Sequence, residues 1–108
     1  MENSTKPIVF LGNSRKNLQD FPVDVRRAMG VELRRVQVGR APLDFKPMAS
    51  VGKGAYEIRV HLDGAWRVIY VAKFHDSIYV LHAFQKKTRK TNNDDIELAA
   101  KRYQTIGE

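Results

Sequence analysis

The apolar positions of this chain change their period twice. Ile8-Val9-Phe10-Leu11 is an unbroken apolar run stopped by Gly12-Asn13, the pattern of a short strand. Ser14 stands where it would cap a short helix through Leu18, which Asp20-Phe21-Pro22 ends. From Pro22 to Val38 the period is helical: Val25, Met29, Leu33 and Val36 share a face, and Arg26, Arg27, Arg34 and Arg35 lie off it. Proline fits the first turn, because its fixed φ suits a helix and its missing N–H is not needed there. Gly30 lowers helix propensity by about 1 kcal/mol relative to alanine, which allows a bend. Gly39 is a plausible stop.

Residues 40–54 contain two prolines and two glycines and predict an irregular connector, with Leu43, Phe45 and Met48 tucked under a sheet. From Ala55 the period becomes two. Tyr56, Ile58 and Val60 alternate with Glu57, Arg59 and His61, and Asp63-Gly64 is a hairpin turn. Trp66, Val68, Tyr70 and Ala72 then oppose Arg67, Ile69, Val71 and Lys73 in a strand running to Phe74. After His75-Asp76-Ser77 a third run, Ile78 to Lys87, completes a second hairpin. Thr91 with Asp94 resembles a capping box, opening a helix whose stripe is Ile96, Ala99, Tyr103 and Ile106. The order β-α-α-β-β-β-α predicts an α+β domain, one antiparallel sheet with helices packed on part of it. One domain is expected over residues 1–108, with 1–7 frayed.

Composition narrows the chemistry. With no cysteine there are no disulfides, thiolate metal sites or cysteine nucleophiles. No apolar run approaches the roughly 20 residues of a membrane span, and no signal-peptide core is visible, so a cytoplasmic location is expected. The net charge of +7 is unevenly spread: residues 55–90 hold seven Lys/Arg against three Asp/Glu, and residues 91–108 hold two against four. Lys86, Lys87, Arg89 and Lys90 crowd the end of the third strand. A basic body of this kind suits a polyanionic partner such as RNA. The three histidines have neither ligand spacing on one element nor an accompanying carboxylate cluster, so no metal and no cofactor is expected.

The strands Tyr56-Glu57-Ile58-Arg59-Val60 and Trp66-Arg67-Val68-Ile69-Tyr70, with the string Leu81-His82-Ala83-Phe84-Gln85-Lys86-Lys87-Thr88, resemble the RelE/ParE superfamily over residues 8–106. Within it the chain is most similar to phage-derived HigB-like toxins. The resemblance implies a type II toxin–antitoxin module whose toxin is a metal-independent endoribonuclease, cleaving mRNA on the ribosome. It also implies a small helix-turn-helix antitoxin as partner. The alternatives on the same fold are a ParE-like toxin that binds DNA gyrase and cleaves nothing, and an inactive RNA-binding relic.

Cleavage of this kind uses the substrate's own 2′-hydroxyl, so the protein must align it, stabilise phosphoryl charge and move protons. The resemblance carries active-site cations onto Arg59, Arg67 and Lys87. Alternation lets the two arginines share a sheet face. Where the family has a further strand cation, two residues before the first arginine position, this chain has Glu57. Two roles are open to Glu57: general base, or ion-pair partner of Arg59 or Arg67. His82 is the candidate acid/base among the histidines, or else a hydrogen-bonded core residue. Lys73, Lys86, Arg89 and Lys90 are candidate RNA contacts, and Tyr70 a candidate stacking platform or core ring.

Overall fold

The structure is a computed structural model describing residues 5–106. Its elements are β1 (Ile8–Phe10), α1 (Ser14–Gln19), α2 (Val23–Gln37), β2 (Phe45–Pro47), β3 (Ala55–His61), β4 (Ala65–Val71), β5 (Ile78–Lys86) and α3 (Asn93–Gln104). The strands form one sheet in the order β1-β5-β4-β3-β2, antiparallel except for the parallel pair β1–β5. The α+β expectation holds, with one strand more than the sequence pattern gave. Among the described residues no helix is long and apolar enough to cross a membrane.

The two faces of the sheet are used differently, and this creates the site. Ile58, Trp66, Val68, Tyr70, Val80 and Ala83 form one core with Leu18 and Phe21 and with Val25, Met29, Leu33 and Val36 of α2. The other face has a smaller core, in which Ile69, Val71 and Leu81 meet Ala99 of α3 and Met48 and Val51 of the connector. Helix α3 packs on this core through Ile96, Ala99 and Tyr103, and Glu57, Arg59 and Arg67 lie outside it on the same face.

The β3–β4 turn follows its sequence: Asp63 and Gly64 both have positive φ, and Leu62 N–H closes onto Gly64 O at 3.0 Å. Strand β5 carries a register shift opposite Ile69 and Tyr70. Ile69 pairs with His82 and Tyr70 with Val80, so Leu81 is the extra residue. The bulge turns Leu81 and His82 to the same side, beneath α3.

Several local expectations are corrected. The connector is not wholly irregular, because Phe45–Pro47 pairs antiparallel with Tyr56–Ile58. Pro47 is tolerated there because β2 is an edge strand whose outer side needs no N–H donor. Of the three apolar connector residues only Met48 is buried; Leu43 is 75% exposed and Phe45 lies edge-on to Tyr56 at the sheet margin. Pro22 is the residue before α2, with ψ at 149°, rather than part of its first turn. Ser14 caps nothing: it is buried and its Oγ donates to Val80 O. Asn92, not Thr91, caps α3, accepting from Asp94 N–H at 2.8 Å. The Trp66 strand stops at Val71 and the third at Lys86. Of the segment expected to fray, residues 1–4 lie outside the described residues. Lys6 and Pro7 are held in place: Lys6 Nζ donates to Ala72 O and Phe74 O, and Ile78 N–H to Pro7 O.

Candidate functional site

Strand register assembles a cluster of charge on the face that carries α3. Arg59 of β3 and Arg67 of β4 are direct cross-strand partners, so alternation was right to give them one face. Glu57 is two residues before Arg59 and pairs across β2 with Lys46. Lys86, at the end of β5, lies opposite Ala65, two residues from Arg67 along β4. Four cations thus surround one fully buried carboxylate.

Glu57 is the centre. Its Oε2 accepts from Thr91 Oγ1 at 3.0 Å, and its Oε1 lies 3.6 Å from Arg67 Nε and 3.9 Å from Lys46 Nζ. Neither Glu57 Oε1 nor Arg67 Nε has a hydrogen-bond partner, so the two face each other as a desolvated ion pair. Arg67 spends an N–H on Trp66 O at 3.0 Å. Burial pushes its pKa down, the neighbouring Glu57 pulls it up and Arg59 pushes it down again. Arg67 is the floor of the cluster. Arg59 forms part of the rim: its Nε donates to Asp44 Oδ1 at 3.0 Å and its side chain stays a third exposed. Lys46 is more open still. Desolvation and then the charge of Arg67 lower the pKa of Lys86, with Lys46 and Arg59 adding to the same effect and Glu57 opposing it.

Of the two roles open to Glu57, the geometry matches the ion pair with Arg67: it has no exposed surface and its neighbours enclose it. His82 is not among the cations. It is buried, stacked on Phe84 at 4.8 Å, and its Nε2 meets Asp95 Oδ1 of α3 at 2.8 Å. Desolvation lowers its pKa, against the opposing pull of Asp95. Phe84 itself pairs across the ladder with Arg67, so His82 is set one ring back from the cluster.

Lys87 follows the end of β5 and is exposed. With Gln85, Lys86, Thr88, Asn92 and Asp95 it lines a cleft of ≈ 180 Å³ beside the cluster. Arg89 and Lys90 are exposed in the same loop, whose far end is anchored to the cluster by Thr91. Two candidates are elsewhere. Lys73 lies past the end of β4, against Phe74 and Tyr103; six residues at about 3.3 Å each put it roughly 20 Å along the chain from Arg67. Tyr70 points to the opposite face, is 4% exposed and packs on Tyr56, and burial pushes its hydroxyl up to about 12. That ring belongs to the core.

Lys46 and Thr91 were missed by sequence reasoning. Lys46 sits in a three-residue strand too short to show a period, although Asp44-Phe45-Lys46-Pro47 does alternate polar with apolar. It supplies, from the next strand, an ammonium beside the position where the resemblance wants a cation and the chain has Glu57. Among the described residues no group of three or more His, Asp or Glu side chains is placed to hold a metal ion.

No curated protein matches the chain. The family described as Phage derived protein Gp49-like (DUF891) matches residues 16–104, which run from within α1 to the end of α3 and include the whole basic cluster. The chain therefore belongs to the phage-derived Gp49-like family, a toxin-like family related to RelE and HigB, and that membership implies an antitoxin partner.

Proposed function

We propose that this protein is the HigB-like toxin of a type II toxin–antitoxin module and that it cleaves mRNA, as one cytoplasmic domain acting on translated message. The observation that carries the reading is the cluster of half-exposed Lys46, Arg59 and Lys86 with buried Arg67 around buried Glu57 on one face of the sheet. Against those four cations stand two carboxylates, Glu57 and Asp44, so the cluster keeps a positive surplus for a phosphodiester.

In this mechanism the rim groups Arg59, Lys46 and Lys86 contact the scissile phosphate, Arg59 through the fork of its guanidinium. Arg67 acts from the floor through its charge, held in place by Glu57. Fixed cations aimed at the phosphoryl oxygens stabilise the charge that develops as the 2′-oxygen attacks. Lys86, whose ammonium pKa is pushed down by desolvation and by the charge of Arg67, carries the proton in this reading. Lys87, Arg89 and Lys90 hold the flanking strand or ribosomal RNA by charge. No role in the chemistry falls to His82, which the Phe84 ring separates from the cations.

Primer extension on cellular mRNA after a short pulse of expression tests the proposal. New 5′ ends within translated frames are expected, and they should vanish in Arg59→Ala while that variant keeps a wild-type melting curve. An intact transcript pool together with DNA damage would replace this reading with gyrase poisoning.

A further inference from the structure

Helix α2 carries two seams on opposite sides. The inner one, Val25, Met29, Leu33 and Val36, is in the core. At 3.6 residues per turn, Val23, Arg27, Val31, Arg34 and Val38 lie within about 55° of the opposite direction, with exposed Asp24 among them and Gly30 at their edge, about 75° away. Their spacing (23, 27, 30, 34, with 31 and 38 alongside) repeats every three and four residues, as a helix-packing seam does. Val23, Val31 and Val38 are 47%, 56% and 44% exposed. An ordinary solvated helix face has no use for three valines in line.

Two independent features mark this seam as built for a partner. A Cβ placed on Gly30 would meet nothing within 4 Å, so no packing inside this chain calls for a glycine in mid-helix. A bare backbone between Val23 and Val31 instead lets a second helix come close. The charges are also lopsided, with Arg27 and Arg34 on the face against the single carboxylate of Asp24. Among the described residues neither Arg27 nor Arg34 has an ion-pair partner, whereas Arg35 pairs with Glu32 and Arg26 donates to Gln19 O. Glu32 itself is turned in, accepting from Leu43 N–H.

We infer that the outer face of α2 docks an amphipathic helix of a partner protein, with aliphatic residues against the valines and Asp or Glu against Arg27 and Arg34. The positive charge of the seam opposes a second copy of this chain. The aligned valines favour protein over RNA, whose phosphate backbone offers them nothing apolar. This surface lies on the helix-covered side of the sheet, away from the basic cluster, and the inference stands whether or not the chain cleaves RNA.

The test is an NMR titration of the ¹⁵N-labelled chain with a synthetic 18-residue helix bearing leucine along one seam and glutamate beside it. Shifts confined to amides of residues 23–38 are expected, with none from a twin peptide carrying lysine for glutamate. Arg34→Glu should weaken binding at least tenfold. So should Gly30→Gln, a better helix former that fills the gap without harming the fold. Absence of binding, shifts centred on Arg59 and Lys86, or undiminished binding to Gly30→Gln would each overturn the inference. So would a 16-nucleotide RNA that shifts residues 23–38 while the peptide does not.

Discussion

Glu57→Gln tests the electrostatic centre of the molecule with almost no change in shape. The amide can still accept from Thr91 Oγ1, but the negative charge facing Arg67 is gone. At 3.6 Å, with both side chains at least 96% buried, the lost attraction is roughly 4–5 kcal/mol at an effective dielectric of about 20. Lys46 adds little, since it is 40% exposed and 3.9 Å away. Part of the loss is recovered as Arg67 relaxes toward water, so a net destabilisation of about 3 kcal/mol is expected, within the range for orphaning one member of a buried pair. With a urea dependence of about 1–1.5 kcal/mol/M for a chain of this size, the unfolding midpoint should fall by roughly 2–3 M. The double variant Glu57→Gln/Arg67→Met should recover most of that stability, because replacing both members of such a pair with similar-sized uncharged groups is often near neutral. A Glu57→Gln midpoint within 0.4 M of wild type, about 0.5 kcal/mol, would refute the ion-pair account and, with it, the role given to Glu57 in positioning Arg67.

Four further outcomes are expected. Lys46→Ala should lower the rate of mRNA cleavage about tenfold, the loss of roughly 1.4 kcal/mol of transition-state stabilisation, with stability unchanged in the same urea titration. His82 has its pKa below 6.5 in the folded state because burial outweighs the pull of Asp95. The unfolded chain therefore binds the extra proton first, and stability should fall as pH drops from 6.5 through the folded-state pKa; urea midpoints across pH 5–7.5 should show this slope, and His82→Gln should flatten it. Gly52→Ala would put a methyl 2.6 Å from the Tyr103 ring, whose hydroxyl donates to Lys53 O, so a loss of about 1–3 kcal/mol is expected in thermal unfolding. In the same assay Met48→Ala should cost about 2–4 kcal/mol and Leu43→Ser less than about 0.5 kcal/mol, because Met48 is buried and Leu43 is 75% exposed.

What the sequence revealed and what it hid have the same physical root. Strands β3 and β4 were legible because one side of each meets a core, which writes itself as alternation in Tyr56, Ile58 and Val60. The same alternation put Glu57, Arg59 and Arg67 on one face, since register follows from a three-residue turn ending in Gly64. Strand β2 was hidden. Its three residues are too few to show a period, and its ladder is made with residues a dozen positions away, which no local pattern records. Lys46 was lost with it. Thr91 and Asn92 are both good caps by type; which of them caps α3 was decided by a buried carboxylate 34 positions upstream, where Thr91 finds Glu57. The placing of Lys73 with Arg67 assumed that the strand continues, but β4 ends at Val71. Tyr70 alternates with Trp66 and Val68 on the face away from Arg67, so the pattern already pointed to core packing rather than stacking.

The parallel pairing of Ile8–Phe10 with Ile78–Val80 bears on when the basic cluster can form during synthesis. Synthesis at about 5–20 residues per second separates those two segments by roughly 4–14 s, and until the later one emerges the earlier has no ladder to join. Lys86 arrives on that same late strand. The cluster of Lys46, Arg59, Arg67 and Lys86 is therefore assembled only after that late strand has been made and has joined the sheet.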